Sequence, residues 1–275
     1  DDLCCCASHT DEHSLYHWFI SELQSRWDVE DEGELTDLLN VEFTFGESCV
    51  KLTQTAYIEK MVSTYLPDGV PLSGKQCTTP CDDTLPRNTA DALTQSADDV
   101  DPELLKQYQS LVGALLYCAT QTRPDVAYAV GMLCRAMGKP TPAMLTEAAR
   151  VLCYLHRTKH LGLRFTPDQQ DVSGYSDSDW AVKHSTTGYV FRFSSAAISW
   201  ASKKQGSVAL SSCEAEIMAA SEASKEAVFL ASYLDELGER DPLPIDLRVD
   251  NTGARDLAYN PEHHAKSKHI ERRHF

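Results

Sequence analysis

A chain of 275 residues with 42% hydrophobic content has the composition of a globular protein with room for roughly two domains. No apolar run approaches the ~18 residues of a membrane span, the acidic N-terminus is unlike a signal peptide, and the cysteines form no paired Cys-x-x-Cys framework, because Cys77 and Cys81 lack a second pair. An intracellular protein without a membrane partner is expected. The formal net charge of −16 argues against a nucleic-acid partner until its distribution is read: residues 1–50 hold 13 acids and one base, 51–170 hold 12 of each, and 171–275 hold 16 acids and 12 bases. Most of the acidity is therefore N-terminal, and a carboxylate cluster that binds a divalent cation is itself anionic when empty.

The chain opens on Asp1-Asp2-Leu3, inside an apparent strand with no cap or polar tail, as if cut, and Cys4, Cys5 and Cys6 are expected as small buried hydrophobes. From Asp11 to Trp27, Leu15, Trp18, Phe19, Leu23 and Trp27 recur at three and four, the spacing of an amphipathic helix. After an acidic loop, Leu39, Val41, Phe43 and Phe45 alternate with polar residues, Gly46-Glu47-Ser48 turns, and Cys49 to Leu52 returns as a hairpin. Thr55 is placed to cap a helix running to Leu66, and residues 67–101, rich in Pro, Gly, Thr and Asp, read as a long connecting loop. Three helices follow at about 103–119, 125–137 and 142–158, the last with Thr141 as cap and Pro142 at its first position. A strand at Leu161–Phe165 and the Thr166-Pro167-Asp168 boundary lead into a final domain.

That domain begins with Gly174-Tyr175-Ser176-Asp177-Ser178-Asp179-Trp180, where strand alternation sends Asp177 and Asp179 to one face. Two like charges so close raise each other's pKa unless a cation sits between them, so the pair is either a wet strand end or part of a metal site. Strands at Gly188–Phe193 and Ala197–Ala201 suggest an antiparallel meander. Ser211 and Glu214 then form a capping box for a helix that stops at Gly238. On this helix Glu216, Ala220, Ala223, Ala227, Leu230, Leu234 and Leu237 make a buried stripe, with Glu214 about 200° round from Glu216 on the polar side. Ile245–Val249 is a strand that delivers Asp250 at its C-terminal end. The tail carries His263 and His264, read as part of a solvated segment rather than as metal ligands, and a basic run to Phe275.

Asp177, Glu216 and Asp250 thus come from three elements that can converge at one end of one sheet. Hard oxygen donors of this kind suit Mg²⁺ or Mn²⁺, and two ions ~3.5–4 Å apart can clamp the attacking water and leaving oxygen of a phosphodiester.

The segments Gly174–Trp180, Ser185–Phe191, Ile198–Gln205, Val208–Glu216, Val249–Asn251 and Ser267–Glu271 resemble the ribonuclease H domain of copia-type retrotransposon Pol polyproteins. Upstream, Leu52-Thr53-Gln54 with Tyr57–Lys60, Tyr108–Tyr117 and Thr122–Val130 resemble the reverse transcriptase part of the same polyproteins, so nearly the whole chain is covered. The resemblance implies an α/β chain, α+β overall: the end of a palm over 1–66, a connecting loop and helical thumb or connection over 67–165, and a ribonuclease H-like mixed sheet with helices over 166–275, truncated before its last strand and helix.

It also implies that Asp177, Glu216 and Asp250 are catalytic metal ligands for a pair of Mg²⁺ or Mn²⁺ ions, with Asp179 an outer partner. Asp1 and Asp2 resemble the end of a polymerase metal-binding motif, although the first palm aspartate and the fingers are missing and polymerase activity is not expected from this chain alone. A fourth metal-binding aspartate of the family lies beyond Phe275, and Glu271 is not assigned to replace it. The implied substrate is an RNA/DNA hybrid, the implied partner the remainder of the Pol polyprotein, and Lys203, Lys204, Lys266, Lys268, Arg272 and Arg273 are the candidate phosphate contacts. The alternative is a non-catalytic remnant that folds or binds nucleic acid without turnover.

Overall fold

The computed structural model describes residues 3–5, 7, 14–69, 78–96, 100–167, 171–181, 184–238 and 244–259. The described residues form two four-stranded sheets and a helical core. The first contains β1 (Asp37–Leu38), β2 (Val41–Gly46), β3 (Cys49–Thr53) and β4 (Leu163–Phe165), antiparallel throughout and in that order. The β1–β2 link is a two-residue turn in which Leu39 and Asn40 both have positive φ, the backbone that matches the twist of a hairpin. The Tyr117 hydroxyl donates to the Leu39 carbonyl and ties this turn to the helices.

Among the described residues, five α-helices are inserted between β3 and β4: α2 (Thr55–Tyr65), α3 (Thr84–Thr94), α4 (Pro102–Gln121), α5 (Ala127–Arg135) and α6 (Pro142–Arg157). Ile58, Tyr108, Leu115, Leu133 and Leu152 are among the residues of the main hydrophobic core that they enclose. Thr141 caps α6 as expected, its hydroxyl accepting from the Met144 amide at 3.2 Å. Thr55, by contrast, lies inside α2. The cap is the Glu42 carboxylate of β2, which accepts from the amides of Thr55 (3.3 Å) and Ala56 (2.7 Å). These bonds outweigh the effect of burial and hold the Glu42 carboxyl below its usual range.

The expected loop over 67–101 contains α3. Its buried face is Leu85, Thr89 and Ala92, with too few apolar residues to stand out from a polar background. Long-range polar contacts hold it in place: the Glu147 carboxylate of α6 accepts from the Thr84 hydroxyl at 2.7 Å and from the Asn88 amide nitrogen at 2.8 Å.

Ahead of the first sheet, α1 (Leu15–Arg26) is capped by Ser14 but buries no residue, leaving Leu15 83% and Trp18 63% exposed. Cys4 and Cys5 are exposed rather than buried, since no described element covers them, and Cys6 lies outside the described residues.

The second sheet has the order β7-β6-β5-β8, from β5 (Ser173–Asp179), β6 (Thr186–Phe193), β7 (Ala196–Lys204) and β8 (Asp246–Val249). The first three form the expected meander, and β8 adds parallel to β5. Helix α7 (Ser212–Glu236) crosses one face, packing Ala223 and Leu230 against Phe191, and α8 (Thr252–Tyr259) follows β8. The other face lies on the helical core, where the Trp200 indole donates to the Ala119 carbonyl at 2.7 Å and the Arg135 guanidinium to the Thr186 hydroxyl at 2.9 Å.

Gly174 is what lets β5 sit between its neighbours. A Cβ there would stand 2.4 Å from Cε1 of Phe191 and 3.1 Å from Cδ1 of Leu247. Gly174→Ala is expected to destabilise the chain by about 1–3 kcal/mol, the usual penalty for overpacking a core, as read from the midpoint of urea unfolding.

Candidate metal centre

Residue alternation and strand register build this site before any side-chain detail is needed. The parallel pairing Ser176↔Val249 ends one residue before Asp177 and Asp250, so both carboxylates leave the C-terminal ends of adjacent strands at the same level. Helix α7 brings Glu216 to them from its N-terminal part. One ligand atom from each of Asp177, Glu216 and Asp250 can be chosen so that all lie within 4.8 Å of one another, and this is the only such group among the described residues. Asp177 and Asp250 are exposed, whereas Glu216 is 6% exposed.

Ser178 holds the group together. Its amide donates to Oδ1 of Asp177 at 2.8 Å and to Oε1 of Glu216 at 3.3 Å, and its hydroxyl donates to the same Oε1 at 2.8 Å. Oε2 of Glu216 is buried without a hydrogen-bond partner. Burial pushes the Glu216 carboxyl up; the Ser178 hydroxyl bond opposes this, and the charges of Asp177 and Asp250 add to the rise. A buried, unpaired carboxylate oxygen beside two further carboxylates is costly in isolation and becomes favourable when a cation sits among them. The donor set therefore fits Mg²⁺ or Mn²⁺, both of which prefer oxygen ligands.

The first turns of α7 differ from the expected single stripe. Glu214 does act in the cap, but its carboxylate takes the Leu210 amide (2.6 Å) while the Ser211 hydroxyl accepts from the Glu214 amide (3.1 Å). Glu214 is also buried, because the segment after β7 folds back over that side: Gln205 donates to the Ala215 carbonyl at 2.9 Å and the Trp180 indole to the Ala209 carbonyl at 3.2 Å. At the far end Leu237 is exposed, not buried, since the sheet has ended before the helix does.

Asp179 stands apart from the cluster. It faces α5, where burial raises the Tyr128 hydroxyl and the Asp179 charge adds to the effect. Lys203 and Lys204 are exposed on β7, paired through Thr187 and Thr186 with Ser178 and Asp179, and so two strands, about 10 Å, from the carboxylates. Asp1, Asp2, Lys266, Lys268, Arg272, Arg273, His263, His264 and Glu271 lie outside the described residues. Sequence reasoning passed over Ser178, which was legible as the residue that alternation turns towards the helix between two aspartates. Asn251 opens α8 as the Asn251-Thr252-Gly253 run suggests, its side chain accepting from the Ala254 amide at 3.0 Å.

No helix among the described residues is long and apolar enough to cross a membrane. No family model matches the chain. It is 34% identical over 91% of its length to the retrovirus-related Pol polyprotein from transposon TNT 1-94 of Nicotiana tabacum, covering 19% of that protein. It is also 34% identical over 94% of its length to the corresponding polyprotein from transposon RE1 of Arabidopsis thaliana, covering 17% of it. Over 45% of its length it is 48% identical to secreted RxLR effector protein 161 of Plasmopara viticola, covering 90% of that protein. The chain thus spans less than a fifth of the length of the Pol relatives. Matches at 33–34% identity along more than nine tenths of the chain identify it as a relative of the retrovirus-related Pol polyproteins of transposons, in agreement with the copia-type resemblance of its motifs.

Proposed function

We propose that residues 166–275 form a ribonuclease H-type unit that hydrolyses the RNA strand of RNA/DNA hybrids, with Asp177, Glu216 and Asp250 holding a pair of Mg²⁺ or Mn²⁺ ions. The observation that carries this reading is the convergence of the three carboxylates, one of which, Glu216, keeps a buried oxygen without a hydrogen-bond partner. When bound, the ions would supply an activated water and charge neutralisation at the leaving oxygen. The chain's own residues do the rest. Asp177 and Asp250 present carboxylates from the strand ends, Glu216 closes the site from the helix side, and Ser178 orients two of the three. Lys203, on the row of Ser178, and Lys204, on that of Asp179, would be the contacts to backbone phosphates of the hybrid.

On the same reading, residues 1–66 belong to a reverse transcriptase palm and 67–165 to its thumb or connection. The partners would be the hybrid and the rest of an intracellular Pol polyprotein that copies RNA into DNA. A second reading, a domain that folds or binds nucleic acid without turnover, is favoured by the 48% identity to a protein described as a secreted effector. Incubating the chain with a labelled RNA/DNA hybrid and Mg²⁺, beside Asp177→Asn, separates the two: cleavage by the parent alone supports the nuclease, and equal cleavage by both, or none, favours the second reading.

Asp179→Asn provides a contrast within the same strand. Because Asp179 faces Tyr128 rather than the cluster, this variant is expected to keep hybrid cleavage within about threefold of the parent, an effect of under ~1 kcal/mol on the barrier. A loss as deep as that of Asp177→Asn in the cleavage assay would place Asp179 in the metal centre after all.

A further inference from the structure

We propose that Ser178 is a positioning residue whose hydroxyl sets the affinity of the carboxylate centre for a divalent cation. The inference rests on the metal-site reading above and adds to it a residue that binds no ion itself.

Strand alternation places Ser178 on the face covered by α7, opposite to its neighbours Asp177 and Asp179. From there it meets two ligands at once. Its amide is shared between Oδ1 of Asp177 and Oε1 of Glu216, and its hydroxyl donates to Oε1 of Glu216. Every hydrogen bond that Glu216 accepts from Ser178 therefore falls on one carboxylate oxygen, and the other, Oε2, is left bare and buried. A carboxylate tethered through one oxygen presents its second oxygen in a defined direction. Without the hydroxyl, Glu216 keeps only the 3.3 Å share of an amide whose shorter bond, 2.8 Å, goes to Asp177.

The carboxyl group would then turn more freely, and ordering it on cation binding would cost entropy that the parent has already lost on folding. Hydrogen bonds that orient metal ligands from outside the coordination sphere are typically worth 10–100-fold in metal affinity. The size of the effect should follow the hydroxyl and not the bulk of the side chain, because Ser178 is only half-buried and lies in a strand, the backbone that β-branched side chains favour.

The test is a Mn²⁺ titration of the whole chain followed by electron paramagnetic resonance of the free ion. It compares the parent, Ser178→Ala, Ser178→Thr, Ser178→Val and Asp177→Asn, each with its metal-free thermal unfolding by circular dichroism. Ser178→Ala and Ser178→Val are expected to bind Mn²⁺ about 10–100-fold more weakly, while Ser178→Thr, which restores the hydroxyl, binds close to the parent and all unfold near the parent midpoint. Parent-like binding by the Ala or Val variant, with binding lost in Asp177→Asn, would overturn the role of Ser178 and leave the centre standing. Binding unchanged in Asp177→Asn would overturn the centre itself and this inference with it. Should the Ala variant fail to fold, the near-isosteric Thr and Val variants carry the comparison, and equal affinity for the two overturns the proposal.

Discussion

Replacing Asp177 by Asn is expected to reduce Mg²⁺-dependent cleavage of an RNA/DNA hybrid by at least about 10²–10³-fold, the range seen when one electrostatic stabiliser of a transition state is removed. The fold should survive. Asp177 is exposed at a strand end, Asn has the same shape, and its side-chain oxygen can still accept the Ser178 amide bond that Asp177 accepts at 2.8 Å. Without metal, removing one of three neighbouring charges relieves Glu216, whose carboxyl is raised by burial first and by Asp177 and Asp250 in addition. The variant should therefore be no less stable than the parent when the metal is chelated.

With metal the order reverses. A cation that binds only the folded parent at a hundred times its Kd stabilises it by ~2.7 kcal/mol. For a chain of this size that corresponds to a rise in melting temperature of roughly 5–10 °C, which Asp177→Asn should not show. Differential scanning calorimetry with and without Mg²⁺ measures this apart from any activity. Equal rises in parent and variant would mean that the ion binds elsewhere.

The largest expected loss of stability lies far from that centre, at Arg123. Its side chain is 1% exposed between α4 and α6. The guanidinium grips Asp125 with two bonds, 2.9 and 2.7 Å, and donates to the carbonyl (3.1 Å) and hydroxyl (2.7 Å) of Thr158, the residue that ends α6. It also lies 5.6 Å from the centre of the Tyr154 ring, whose hydroxyl donates to Asp125 at 2.9 Å. Arg123→Ala takes the partner cation from Asp125 and empties the site of a fully buried side chain at once, for a cost of about 3–5 kcal/mol in urea or thermal unfolding. Arg123→Lys should recover little of it, since an ammonium cannot reproduce the planar fork. A loss under ~1 kcal/mol for the Ala variant would show that the network contributes little.

Acid adds an independent signature. Burial works to raise the Asp125 carboxyl, but the Arg123 bonds and charge, with the Tyr154 hydroxyl, outweigh it and hold the group below its usual value. A carboxyl depressed in the folded state contributes stability that is present above its unfolded pKa of about 4 and is lost as pH falls through the folded value. The gap between parent and Arg123→Ala should therefore be widest near neutrality and narrow below pH ~4. A gap that stays constant on acidification would count against the charge pair as its source.

The parts of this protein that were legible in its sequence are those in which the deciding forces act over a few residues. Thr141-Pro142 announced α6, alternation announced the hairpin of β2 and β3 and the meander of β5 to β7, and the Ser211 to Glu214 spacing announced the start of α7. Less legible were features held by partners distant in the chain. Helix α3 depends on Glu147, some sixty residues away, β4 closes onto β3 after the whole helical insertion, and α2 is capped by a glutamate from another element. The exposed apolar side of α1 shows the converse: a helical period is a local property, and whether anything covers the apolar face is not.

The candidate site divides along the same line. Periodicity and strand ends were enough to single out Asp177, Glu216 and Asp250, because each depends on where its own element begins or stops. Their mutual distance, the bridge made by Ser178, the burial of Glu214 under the segment after β7 and the turning of Asp179 towards α5 all required the packed molecule. A residue's own backbone sets the face on which its side chain emerges, whereas the neighbour it meets there is set by segments tens of residues away that fold against it.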